Sequence, residues 1–400
     1  MKILLISFDF PYPPSGGSIS RDYNLIKQLS KNNDIFWINR TIRDRPKDEY
    51  IKEMEKYCKI IKIVEWNYGH TIIGLIKSFF TKEPYIIHRF ASQYMTDLVH
   101  QVLKNNIFDL ILCDHIYLSQ YLPHEIELHV PTIPNNEDNG FTYYKRLSET
   151  NGLIRPFFAK LQWRKMLNYE VNVYQRFCVD ITTSDTEKNI IMKYLKGVKI
   201  GVVKNGVDVD YFKPMKRTNM ENNIIYTAWF KYYPNQQAVI EFVKDVFPLL
   251  KAKIPDIKFY IVGKEPPKRV HELSKINGIV VTGEVEDVRP YLANADVAVI
   301  PLKVGGGTRL KILEAMAMGI PVISTKLGAE GLDVKEDENI LIADDHEDFA
   351  QKIYEIITDK QLSKRISDSA IKFVEENYTW EKIGEDICNF INDFVYTFKN

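Results

Sequence analysis

Cysteine is scarce. Cys58, Cys113, Cys178 and Cys388 stand far apart in a chain of 400 residues and form no C-x-x-C pair. A disulfide framework and a cysteine zinc site are therefore not indicated, and a reducing compartment is expected. Net charge is missing too, with 53 Lys+Arg against 53 Asp+Glu, so a general attraction to nucleic acid has no basis. No apolar run approaches the roughly 20 residues of a membrane-spanning helix. The best candidate, Thr71 to Phe80, is short and contains Lys77. Met1 to Phe10 (MKILLISFDF) holds one lysine and an apolar run cut by Asp9, which reads as a buried first strand and not as a signal peptide. No G-x-G-x-x-G follows that strand, which counts against a dinucleotide dehydrogenase. Low-complexity tracts and short-period repeats are absent. The expected location is the cytoplasm.

What is present describes a globular protein: 45% hydrophobic and 26% charged residues, with enough length for two cores. The balance of charge is uneven, basic in the first half and acidic in the second. Short β-rich runs (Lys2–Ser7, Ile35–Asn39, Leu110–Cys113, Thr132–Pro134, Asp180–Ser184) alternate with amphipathic stretches such as Ile19–Lys31 and Tyr94–Asn105. The same grammar restarts after Asn205-Gly206. Strands are predicted at Ile224–Ala228, Lys258–Val262, Gly278–Thr282, Val297–Pro301 and Pro321–Ser324. Helices are predicted at Gln236–Ile254, Arg289–Asn294, Lys311–Met318 and His346–Asp359. Such alternation predicts an α/β chain of two tandem Rossmann-like, doubly wound parallel-sheet domains. We expect domains at 1–200 and 201–378 and a final helical segment at 379–400. Ligands of such sheets bind beyond the carboxyl ends of the strands, so the cleft between the domains is the expected site.

The richest segment is Val304-Gly-Gly-Gly-Thr-Arg-Leu-Lys-Ile-Leu-Glu-Ala-Met-Ala-Met-Gly-Ile-Pro-Val-Ile-Ser324. Glycines leave backbone N–H groups unshielded, and the following helix aims its positive end at them. Arg309 and Lys311 add charge suited to a diphosphate. Glu314, in an otherwise apolar helical run, is costly to bury without a ligand or a cation. Loop, cations and carboxylate together suit a nucleotide diphosphate, with the carboxylate on ribose hydroxyls.

This segment resembles the donor-binding signature of retaining glycosyltransferases of the GT-B fold, the group often called family 4. The resemblance implies an N-terminal acceptor domain, a C-terminal donor domain and a last helix that crosses back to the first domain. It implies transfer of a hexose-type residue from a nucleotide-diphosphate sugar to a hydroxyl of a saccharide or lipid-linked saccharide. Retention, no metal, no cofactor beyond the donor substrate and no nucleic-acid partner follow from it. The implied donor-binding residues are Gly16, Gly17, Val285, Gly306, Gly307, Thr308, Arg309, Leu310, Lys311 and Glu314. Gly16 and Gly17 end a proline-stiffened loop (Asp9 to Gly17), and Val285 would pack on the nucleobase. The implied catalytic residues are Arg309, Lys311, His115 and Glu137, the last two at the ends of strands.

Three departures stand out. Gly306 and Pro134 occupy places where many relatives carry Glu and His, and no Arg–Lys pair follows Thr227, where Lys231 is the available substitute. Asp208-Val-Asp210 has the spacing of a metal motif but the context of a turn, so no metal is expected there. Basic and aromatic residues mix in Gly152–Phe177, and with Ile72–Phe80 they make a candidate peripheral contact at the inner membrane face. Two other readings stay open: a sugar-nucleotide epimerase of the same fold, and a non-catalytic nucleotide-binding subunit.

Overall fold

The computed structural model of the chain describes residues 1–14, 17–41, 45–65, 72–124, 129–136, 140–149, 154–218, 222–305 and 308–399. It divides into two compact units, Met1–Lys204 with Glu381–Asn400, and Asn205–Trp380.

Among the described residues the first unit holds a seven-stranded sheet. Its strands are β1 (Lys2–Phe8), β2 (Asp34–Thr41), β3 (Lys59–Glu65), β4 (Leu110–Asp114), β5 (Thr132–Asn135), β6 (Val179–Thr182) and β7 (Lys199–Val202). They are parallel in the order β3-β2-β1-β4-β5-β6-β7. Burial on both faces explains the near-continuous apolar composition of β1 and β4. At the edge, β3 instead shows Lys59 and Lys62, which suits a strand with one unpaired side. Helices Gly17–Leu29, Gln93–Asn105 and Ile154–Phe177 are among the connections. Strand order reverses between β1 and β4, so the loops after these strands flank the unit's own switch point.

The helix Trp380–Lys399 carries the chain back into the first unit. Ile383, Ile387 and Ile391 are buried at i, i+4 and i+8. Lys399 pairs with Asp109 at 3.1 Å, and Lys199 pairs with Asp393 at 2.6 Å.

In the second unit β8 (Asn223–Thr227), β9 (Lys258–Val262), β10 (Ile279–Gly283), β11 (Val297–Ile300), β12 (Val322–Ser324) and β13 (Leu341–Ile342) run in the order β10-β9-β8-β11-β12-β13. All pairings are parallel. The core is a single cluster that includes Ile225, Phe259, Val299, Leu313 and Met316. The switch point here lies between β8 and β11.

The single helix expected at Gln236–Ile254 is interrupted. The chain is α-helical over Tyr233–Glu241, widens into a π-helical turn at Phe242–Val246, and continues over Phe247–Lys253. Pro248 lacks an N–H and its ring crowds the preceding turn, which the wider turn relieves.

Candidate functional site

The loops after β8 and β11 meet at the second unit's switch point. Arg309 is the N-cap of the helix Leu310–Ala317, with φ −91° and ψ 89°. The opening N–H groups of that helix have no intrahelical acceptor, and its dipole favours an anion there. Gly305 turns the loop at φ +133°, where a side chain is strained. A Cβ at Gly305 would lie 3.2 Å from Arg309 Nη2 and 3.4 Å from the Tyr232 hydroxyl. Glycine thus leaves room for the guanidinium, which is buried against the loop.

Lys311 reaches back toward β8. Its ammonium sits 4.2 Å from the centre of the Tyr226 ring and donates to Asn235 Oδ1 at 3.3 Å. The buried Tyr226 hydroxyl donates to the same oxygen at 2.7 Å, and Asn235 Nδ2 donates to the Trp229 carbonyl at 2.9 Å. Burial lowers Lys311 to about 7, the Arg309 charge adds to this, and Glu314 opposes it. Glu314 lies three residues on, one helical turn along the same face. Burial raises its carboxyl to about 7, with Lys311 opposing. Both side chains are only half-buried by area, so solvent tempers the desolvation behind these shifts. Neither charge has a carboxylate–ammonium contact within ion-pair distance among the described residues, so burial outweighs their mutual attraction. The site can therefore take up a proton at Lys311 as an anion arrives, and release one from Glu314 as a hydroxyl donor arrives.

The structure places the other expected residues as follows. Thr308 is half-buried beside Arg309. Leu310 points into the core, 8% exposed, so its backbone alone remains for a ligand. Val285 packs part of its side chain against the core of the second unit. Gly17 opens the helix Gly17–Leu29, and a Cβ there would meet nothing within 4 Å. His115 follows β4 at φ 72°. Its ring stacks on Tyr117 at 5.1 Å and meets Phe8 edge-on at 5.7 Å, at the first unit's switch point. Gly16, Glu137, Gly306 and Gly307 lie outside the described residues.

Lys231, the available substitute for a phosphate-binding lysine, is exposed and pairs with Glu265 at 3.6 Å. Asn135 serves the fold: it accepts from buried Arg21 at 3.2 Å and donates to Asp114 at 3.1 Å. Asp208, the first acid of the metal-like spacing, caps a turn by accepting from the N–H groups of Asp210 and Tyr211 at 3.1 and 2.9 Å. Among the described residues no group of three or more His, Cys, Asp or Glu side chains is placed to hold a metal. Sequence reasoning missed Tyr226 and Asn235, whose only signal is a polar residue at the start of the helix after β8.

Residues 221–359, most of this unit, match the family described as Glycosyl transferases group 1. The two doubly wound sheets have the GT-B architecture of solved glycosyltransferases, and the matched segment supports a glycosyltransferase of that fold. An uncharacterized 44.6 kDa protein in the cps region of Klebsiella pneumoniae is 24% identical over 96% of this chain and 98% of its own length. The lipopolysaccharide core biosynthesis glycosyltransferase LpsE of Rhizobium meliloti is 30% identical over 34% of this chain and 41% of its own. The structure of Anabaena HepE in complex with UDP and glucose superposes with a TM-score of 0.69, covering 98% of this chain and 99% of that one at 15% identity.

Proposed function

We propose that this glycosyltransferase moves a hexose-type residue from a nucleotide-diphosphate sugar to a hydroxyl of a saccharide or lipid-linked saccharide, with retention of anomeric configuration. The observation that carries the reading is the grouping of Arg309, Lys311 and Glu314 on the opening turns of one helix at a switch point. Arg309, Lys311 and the helix N-terminus stabilise charge that grows on the departing diphosphate. Glu314 accepts from the ribose hydroxyls. The anomeric C–O bond to phosphate breaks, the bond to the acceptor oxygen forms on the same face, and the acceptor proton passes to the leaving phosphate oxygen. No metal and no cofactor beyond the donor take part. HepE, solved with UDP and glucose, supports a nucleotide-sugar donor, and LpsE supports a surface-glycan acceptor. A lipid-linked acceptor places the protein in peripheral contact with the inner face of the membrane. Among the described residues no helix is long and apolar enough to cross one.

The test is incubation with UDP-, GDP- and ADP-sugars and a lipid-linked saccharide acceptor, with the product's anomeric coupling read by NMR. A product of the donor's configuration supports the reading. An inverted product contradicts retention, and an epimerised donor formed without acceptor contradicts transfer.

A further inference from the structure

The helix Ile72–Phe80 of the first unit is turned inside out. Its buried positions are the small residues Gly74 and Ser78, four apart and so on one face. Its large residues face outward: Ile72, Ile73, Ile76 and Phe80 are 75%, 68%, 53% and 87% exposed. An ordinary surface helix places these the other way round. The orientation is held in place. Lys165, from the helix Ile154–Phe177, donates to the carbonyls of Ser78 and, at 2.7 Å, of Thr81, which are the helix's last acceptors. Phe79 meets Phe158 of the same long helix at 6.4 Å between ring centres.

On that neighbour Phe157, next to Phe158 in sequence, is 70% exposed. Lys77 on the short helix, Lys82 just after it, and Lys160 and Arg164 on the long helix are exposed. Glu83 is the one exposed acid between residues 72 and 90, and it lies 3.6 Å from His88. A contiguous apolar face of this kind marks an interaction site. Its rim is basic, so the surface it fits is apolar beneath and negative at the boundary. Nine residues span about 14 Å at 1.5 Å each, too short to cross a bilayer of roughly 30 Å. The right length and chemistry are those of a helix that lies in the interface.

We propose that the face formed by Ile72, Ile73, Ile76, Phe80 and Phe157, with Lys77, Lys82, Lys160 and Arg164 at its rim, docks the protein on an anionic lipid surface. The apolar side chains enter the headgroup boundary and the cations meet lipid phosphates. This deepens the membrane contact of the proposed function and rests on that reading for the acceptor's location, while the docking itself needs neither donor nor acceptor.

The experiment is co-sedimentation of the full chain with vesicles of phosphatidylcholine alone and of phosphatidylcholine mixed with phosphatidylglycerol. Wild type is expected to bind the mixed vesicles, to bind phosphatidylcholine far less, and to bind less at high salt. Ile76→Glu with Phe80→Glu is expected to cut binding about tenfold or more, and Lys77→Glu with Lys160→Glu to remove the preference for phosphatidylglycerol. These positions are exposed, so melting temperatures stay near wild type. The nucleotide-induced melting shift of each variant also stays at the wild-type value, which separates failure of docking from failure of the donor site. Wild type left in the supernatant, or variants that bind as wild type does, overturns the proposal. So does a wild-type dimer that these substitutions dissociate with no vesicle binding by either form, since the face then covers a second copy.

Discussion

Lys311 and Glu314 share a helical face and carry opposite charges, yet burial pushes both toward neutrality. In the free protein the Glu314 carboxyl holds its proton more tightly than in the unfolded chain. Its contribution to stability is therefore lost as pH rises from about 4.5 to about 7. Lys311 gives up its proton more readily than in the unfolded chain, so stability recovers as pH rises from about 7 toward 10.5. Glu314→Gln removes the first of these limbs. At pH ~8 it is expected to stabilise the free protein by about 1–2 kcal/mol, after discounting for solvent access, while weakening nucleotide binding. Urea unfolding beside a nucleotide titration checks both signs. Binding itself needs Lys311 charged for the diphosphate and Glu314 ionised for the ribose. Affinity for a nucleoside diphosphate should thus peak near pH 7 and fall on either side, with apparent pKa values that belong to the pair. Lys311→Arg keeps its charge at every accessible pH and is expected to flatten the alkaline limb in calorimetric titrations. An alkaline limb unchanged in that variant would assign it to another group.

Elements put these residues in reach of one another. Gly263 follows β9 at φ +145°, and a Cβ there would fall 1.7 Å from the Ala228 carbonyl oxygen. The loop after β9 thus packs against the loop after β8 as only glycine permits, and Gly263→Ala is expected to cost about 2–4 kcal/mol. A denaturation midpoint near wild type would show that the loops yield. Asn235→Ala takes away the acceptor shared by Lys311 and Tyr226. It should weaken nucleotide binding several-fold and, by leaving the buried Tyr226 hydroxyl without its acceptor, cost the free protein about 1–3 kcal/mol; calorimetry reads the first effect and urea unfolding the second. Sequence pattern revealed the strands that are buried on both faces, such as β1, β4, β9 and β11, because their composition is almost wholly apolar. It passed over β3, an edge strand with two lysines, and β13, only two residues long. It also passed over the helix Lys360–Asn377, where Ile366, Ala370 and Val374 face the core between many charges. Arg309, Lys311 and Glu314 were legible because one helix carries all three. Tyr226 and Asn235 come from a separate strand and helix, and Asn235 lies 76 residues from Lys311, so only the folded chain brings them together.

At the scale of the molecule, the chain repeats one plan. Each unit has a parallel sheet whose order reverses once, and each puts polar groups after the strands that flank the reversal. Asn205–Trp380 is continuous in sequence and has its own core cluster. A fragment of these residues is expected to fold alone and to keep nucleotide affinity within about tenfold of the full chain. Circular dichroism and calorimetry test this, and a folded fragment without binding would show that the first unit supplies essential contacts. The helix Ile72–Phe80, proposed to meet lipid, belongs to the other unit, so the fragment should not bind anionic vesicles. The proposed function rests on a pocket for a nucleoside diphosphate built from Arg309, Lys311 and Glu314. A thermal-shift titration with UDP, GDP, ADP and CMP, on wild type and Glu314→Ala, tests it most directly. Stabilisation by a specific ligand grows as RT ln(1 + [L]/Kd). We expect a saturable rise in melting temperature with one nucleoside diphosphate, blunted in Glu314→Ala. No rise with any of the four at millimolar concentration, or an equal rise in the variant, would contradict it.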